Sequence, residues 1–240
     1  MQKKLIFNEL GKDSKELRQL IEGNSTNLFN LNNVKYDWAI SLYRKSLEQF
    51  WIPEKVSLAK DINDYNNLTM YEKVAYKGTL SFLIFLDSIQ TINVPRIADY
   101  ITAPEVSLVL SSHQFFEALH SQSYQYIIET IIPYNDRNNI YDYWREDPEL
   151  LNRNKYIANI YQEFSNENSI NNFKKVLVAN YILEFIYFYN GFNFFYTLAS
   201  RHLMQGTSDI IKLINKDELL HVVLFQRIIQ EIDIDTKLIY

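Results

Sequence analysis

Four acids in this chain stand among residues that have little use for water. Asp87 follows the run Phe82-Leu83-Ile84-Phe85-Leu86, Glu117 follows Phe115-Phe116, Glu184 lies between Tyr181-Ile182-Leu183 and Phe185-Ile186, and Glu218 precedes Leu219-Leu220. A lone carboxylate on an inward helix face either takes up a proton or destabilises the fold by on the order of several kcal/mol, so the pattern calls for positive charge in the core. Two of the acids precede a histidine by three residues, as Glu117-x-x-His120 and Glu218-x-x-His221. At about 100° per residue, a three-residue step leaves two side chains within about 60° of each other on one helix face. Each pair can therefore grip one metal ion. Two divalent ions would balance the four carboxylates, with two neutral imidazoles completing the ligand set.

A single Glu-x-x-His is commonly no more than a surface pair. What points to two metals is the order: lone acid, Glu-x-x-His, lone acid, Glu-x-x-His, spread over four long helices. Ferritin-like di-iron and di-manganese bundles use this arrangement; here Asp stands at the first position instead of Glu. Tyr124 follows His120 by four residues, one turn along the same face. Phe188 and Phe192 step from Glu184 at four-residue intervals and Ile214 precedes Glu218 by four, so these three can wall a dry pocket around Tyr124. The same stripe also reads as plain core, and the two readings are compatible.

Helices must position these residues. The spacing predicts a helix from Tyr36 to Phe50, ended by Pro53. Thr69-Met70-Tyr71-Glu72 has the form of a capping box opening a helix that runs past Asp87. Thr102-Ala103-Pro104-Glu105 repeats that signature, with Pro in the first turn, and opens a helix over about 104–131, closed by Pro133. Shorter connecting helices are expected from Tyr134 to Phe164, then a loop from Ser165 to Asn172. Phe173 to Ala199 is the most apolar stretch, but Asn180, Glu184, Asn190 and Asn193 inside it argue for a central helix surrounded by others rather than a membrane span. Gly206 breaks it, and a last helix is expected from Thr207 to Ile232. Residues 1–35 are polar and Asn-rich, and read as a mobile leader; 36–240 read as one helical domain.

Composition narrows the class. The chain has 240 residues, 47% of them hydrophobic, with five Gly and five Pro, too few chain-breakers for a many-turned β sandwich and ample apolar surface for an all-α fold. A net charge of −5 with mixed signs leaves no footprint for nucleic acid and no polybasic membrane patch. The first 23 residues lack the apolar core of a secretory signal, so a soluble, cytoplasmic protein is expected. Zero cysteines exclude thiolate ligands and any thiol chemistry supplied by this chain.

Three strings resemble the small subunit of class I ribonucleotide reductase: Leu86-Asp87-Ser88-Ile89-Gln90, Glu117-Ala118-Leu119-His120-Ser121-Gln122-Ser123-Tyr124, and Lys216-Asp217-Glu218-Leu219-Leu220-His221. The similarity runs from about residue 25 to residue 232. It implies a ferritin-like bundle in which two iron ions per chain, or two manganese ions, react with oxygen or an activated derivative and oxidise a tyrosine to a stable radical. That radical is passed to a large catalytic subunit for deoxyribonucleotide synthesis. By position the resemblance makes Asp87, Glu117, His120, Glu184, Glu218 and His221 the metal ligands and Tyr124 the radical site. It makes Phe188, Phe192 and Ile214 the radical pocket, and Trp51 and Asp217 the radical relay. It also implies a homodimer. His113 and His202 match no ligand position and read as structural. Family members continue past the second Glu-x-x-His with further helices and a docking tail that carries a relay tyrosine. This chain ends at Tyr240, which is not equated with that residue, so those helices and the tail are expected to be lacking. Two other readings stay open: a dimetal oxidase or monooxygenase with a substrate cavity, and a metal-storage or retired scaffold.

Overall fold

The computed structural model describes residues 1–232 and 234, so Tyr240 lies outside the described residues. Among the described residues the regular structure is helical. The helices are α1 (Asp37–Glu48), α2 (Ala59–Asn67), α3 (Met70–Ala98), α4 (Pro104–Ile131), α5 (Tyr134–Glu146), α6 (Pro148–Asn166), α7 (Ile170–Ile182), α8 (Phe188–Ser200) and α9 (Gln205–Glu231). The long pair α3 and α4 pack along each other, while α7 and α8 both pack on α9. This makes a ferritin-like bundle around one apolar core, which takes in Leu83, Leu86, Tyr124, Phe188, Phe192 and Ile214. No helix is long and apolar enough to cross a membrane among the described residues.

Local chemistry explains where the site-bearing helices begin. At the start of α3 the capping box forms: Glu72 N–H donates to Thr69 Oγ1 at 3.3 Å and Thr69 N–H donates to Glu72 Oε2 at 2.8 Å. The matching signature before α4 does not. Ala103 is the N-cap, without a side-chain cap, and Thr102 Oγ1 instead donates to the Gln19 carbonyl at 2.9 Å. Glu105 is taken elsewhere: it is buried against Arg18 at 2.9 Å and accepts from the backbone N–H groups of Lys35 and Tyr36. Pro104 suffices to open the helix, because its fixed φ suits the first turn.

The same ion pair changes the picture of residues 1–35. They hold no α-helix, but Arg18 and Leu20 are buried, Thr102 N–H donates to the Leu20 carbonyl at 2.8 Å, and Ile21 forms an antiparallel bridge with Ile101. The segment is anchored on the α3–α4 corner, which corrects the expected mobile leader.

The apolar stretch differs more. It is two helices joined end to end by a π turn, Leu183–Tyr187, in which the hydrogen bonds skip one residue further than in an α-helix. It is also open on one side, since Phe185, Ile186 and Tyr189 are exposed. Gly191 sits where α8 meets α3: a Cβ there would lie 2.7 Å from Leu83 Cδ2, so a larger residue would force the Leu83 side chain to move. The break falls at Arg201–Met204, before Gly206, with Met204 in the left-handed region at φ 54°. Gly206 lies in the first turn of α9, where its N–H and that of Thr207 donate to the buried Asp61 of α2 at 2.9 and 2.6 Å. A helix N-terminus is a site for an anion, and Asp61 fills it.

Candidate metal centre

The four helical segments bring all six expected ligands to one place. Asp87 comes from α3, Glu117 and His120 from α4, Glu184 from the π turn, and Glu218 and His221 from α9, every one of them buried. Their donor atoms form two clusters that share Glu117. In the first are Asp87, Glu117, His120 and Glu218; in the second are His113, Glu117, Glu184 and His221. Glu218 links the two, with Oε1 3.0 Å from His120 Nδ1 and Oε2 2.7 Å from His221 Nδ1.

In the first cluster His120 presents Nδ1 to Asp87 Oδ1 at 3.2 Å and turns Nε2 outward to Asp217 Oδ2, also at 3.2 Å. This is the arrangement of a metal-bound imidazole, whose far nitrogen is held by a carboxylate that fixes its tautomer. The same Asp217 oxygen accepts the indole N–H of Trp51 at 2.8 Å. A continuous path of polar contacts thus joins the cluster to Trp51, whose ring lies 6.4 Å from that of His120.

The second cluster contains a residue that the sequence pattern alone leaves as structural. His113 Nε2 lies 2.6 Å from Glu117 Oε1 and 3.2 Å from Glu184 Oε1, and its ring stacks on His221 with centroids 3.7 Å apart. A signal for it exists in the sequence: His113, Glu117, His120 and Tyr124 succeed one another at steps of four, three and four, one stripe along α4. His202, by contrast, lies in the turn after α8 with positive φ and takes no part.

Tyr124 is fully buried, with the Asp87 carboxylate near its hydroxyl. Burial first, and then the charge of Asp87, push its pKa well above the usual tyrosine value. Phe188, Phe192 and Ile214 are fully buried in the same core, with the two phenylalanine rings nearly parallel at 5.9 Å.

The electrostatics test whether metal ions fit. Asp87 Oδ2, Glu117 Oε2 and Glu184 Oε2 are buried without a hydrogen-bond partner, and Glu218 Oε1 has the His120 ring beside it at 3.0 Å. Among the described residues, the ion pairs of these acids are all with histidines. Burial, with the Glu117 charge, pushes Asp87 up to about 8 despite its contact with His120. Burial and the charges of Glu117 and Glu184 drive Glu218 well above the carboxylate range. Burial also opposes ionisation of Glu117 and Glu184, but the His113 and His221 rings beside them outweigh it and lower both from the ordinary glutamate value. For His120 and His221 burial disfavours the charged ring, yet Glu218 beside each, with the other carboxylates, raises both well above the ordinary value. Protons thus do in part what two divalent ions would do fully. The oxygen-and-nitrogen donor set, its burial and its orphaned oxygens fit a dimetal site.

An all-α bundle with two linked carboxylate–histidine clusters in its core defines the class of ferritin-like dimetal-carboxylate proteins. The sequence further matches the family model of the ribonucleotide reductase small chain over residues 28–238. The chain belongs to that family. It is 48% identical over 232 residues to the ribonucleoside-diphosphate reductase subunit beta of Treponema pallidum, covering 97% of this chain and 66% of that one. It is 46% identical over 219 residues to the protein of the same name from Aquifex aeolicus, covering 90% and 32%. The chain therefore spans less than two thirds of the length of these curated relatives. The solved R2 subunit from Clostridium botulinum superposes with a TM-score of 0.94 at 50% identity, over all of this chain and 75% of that one. The dimanganese(II)-NrdF of Streptococcus sanguinis gives 0.76 at 25% identity, over 85% and 70%.

Proposed function

We propose that this chain is the radical-generating part of a class I ribonucleoside-diphosphate reductase, holding two metal ions and forming a radical on Tyr124 that a large subunit uses to make deoxyribonucleotides. Asp87, Glu117, His120 and Glu218 would hold one ion, and Glu117, Glu184, Glu218 and His221 the other. When bound and reduced, the pair supplies, together with oxygen or an activated derivative, a one-electron oxidant beside Tyr124. The chain's own residues control the oxidation of the tyrosine. Tyr124 keeps its proton at neutral pH, because burial and the carboxylates oppose the phenolate, so losing an electron must also mean losing the phenolic proton. Phe188, Phe192 and Ile214 contribute a dry wall without polar atoms.

The observation that carries this reading is the linkage Trp51–Asp217–His120. A buried carboxylate oxygen shared between an indole N–H and an imidazole nitrogen ties the cluster to a ring that can pass an electron, a connection that metal storage does not require. Trp51→Phe and Asp217→Asn test it. Both variants should form the Tyr124 radical, yet its reduction by an external one-electron donor should slow, by about 10- to 100-fold for Asp217→Asn. Equal decay in all three proteins would remove the relay.

Iron is the metal of this reading, and the likeness to the dimanganese protein of Streptococcus sanguinis supports manganese as the alternative. The chain acts as a cytoplasmic homodimer with the large subunit as partner and neither nucleic acid nor membrane involved. One observation favours a second reading, a dimetal oxidase: a groove of about 480 Å³ between Phe185, Tyr189, Leu219 and Val222 reaches Glu184 and Glu218. A fatty acid retained there through purification would favour the oxidase.

A further inference from the structure

Glu184 is the one acid of the centre that does not stand on a regular α-helix. On the π turn its direction is not set by an i→i+4 ladder, so something else must aim it. Two donors converge on a single oxygen: Gln90 Nε2 lies 2.5 Å from Glu184 Oε1 and His113 Nε2 lies 3.2 Å from it. The orientation of the Gln90 amide is fixed from behind, because its Oε1 accepts the Tyr161 hydroxyl at 2.8 Å. The other oxygen, Glu184 Oε2, accepts nothing and lies 3.7 Å from His221 Nδ1, toward the cluster.

His113 could itself be a ligand, but its far nitrogen argues otherwise. Metal-bound imidazoles donate their second N–H, as the Nε2–Asp217 contact of His120 would do. His113 Nδ1 is buried with no partner at all. Were Nε2 on a metal, Nδ1 would carry a buried N–H with no acceptor; with the proton on Nε2, the N–H meets two carboxylates and Nδ1 is left as a bare lone pair. The 2.6 Å contact to Glu117 Oε1 is also a hydrogen-bond length.

We propose that His113 and Gln90 are positioning residues that occupy one oxygen of Glu184 and so hold it as a one-oxygen ligand of the second ion. This rests on the two-ion reading above. Held this way, Glu184 would offer the second ion one oxygen, beside the groove that it lines with Glu218. The first ion, whose acid Asp87 stands on the regular α-helix α3, would need no such clamp.

Mn(II) titration into the metal-free full chain, read by the EPR signal of free Mn(II), tests the proposal with His113→Phe, Gln90→Leu and His113→Gln beside the native protein. Native protein should take up two ions. His113→Phe and Gln90→Leu should keep the first and bind the second about 10- to 100-fold more weakly, the range for loss of a hydrogen bond behind a ligand. His113→Gln, which keeps an N–H donor, should recover most of that loss. A crystal structure of the native Mn(II)-loaded protein decides the matter even if a variant folds poorly: one Glu184 oxygen on the ion and His113 Nε2 on the other oxygen are expected. His113 Nε2 on the ion, both Glu184 oxygens on the ion, or identical isotherms for all four proteins would each overturn the proposal. Native protein that binds no Mn(II) would overturn the two-ion reading itself, and the proposal with it.

Discussion

The two halves of the centre are made of the same chemistry and connected to different things. The half built on Asp87 and His120 stands on regular α-helices and leads outward through Asp217 to the Trp51 indole. The half built on Glu184 and His221 stands partly on a π turn and leads outward through Gln90 to Tyr161, a hydrogen-bond chain that can aim a carboxylate. Glu117 and Glu218 join them. Ligand identity alone therefore does not say what each ion is for; the groups behind the ligands do. In the proposed reading, one half would exchange electrons with the outside and the other would hold Glu184 in place for its metal ion.

The strongest way to break the comparison is to remove what the halves share. Glu117→Ala deletes a donor from both clusters, so metal analysis after desalting should find at most one ion where the native protein holds two, with no radical formed. Retention of both ions would mean that the clusters do not depend on their common acid.

Loading should also release protons. In the metal-free protein burial and neighbouring carboxylates raise Asp87 and Glu218, and the carboxylates raise His120 and His221, so these groups share protons that metal ligation must displace. Protons compete with metal, so binding should tighten as pH rises through about 8, the value to which Asp87 is pushed. Calorimetry in two buffers of different ionisation enthalpy should show a net release of protons on metal binding. A count near zero would contradict the electrostatic description.

Tyr161→Phe should be the gentlest perturbation. It removes one hydrogen bond behind Gln90, worth about 0.5–1.5 kcal/mol, so second-ion binding should weaken by a few-fold and first-ion binding should not change. Equal weakening of both ions would dissolve the distinction between the halves.

How far the sequence leads depends on whether a feature has a local cause. Apolar neighbours mark Asp87, Glu117, Glu184 and Glu218 as buried acids, and the structure gathers them. Asp61 and Glu105 are buried as well but lack that marking, because each is satisfied by a distant part of the chain: Asp61 by the N-terminus of α9, Glu105 by Arg18. Thr102 and Glu105 spell a capping box that is never made, since tertiary partners outcompete the local one. The π turn leaves no mark in the periodicity, as one extra residue in an apolar run changes no residue type. His113 stands on the same stripe of α4 as the ligands. It escapes notice because a lone histidine on an apolar face is most simply a core residue, and only the return of the chain at Glu184 and His221 gives it partners.

The central claim is that the buried cluster oxidises Tyr124. Metal-free protein loaded with Fe(II) without oxygen, then exposed to oxygen, should give a tyrosyl EPR signal in the native chain and none in Tyr124→Phe, with two irons bound in both. An unchanged signal in Tyr124→Phe, or two bound irons with no tyrosyl signal in either protein, would contradict the account.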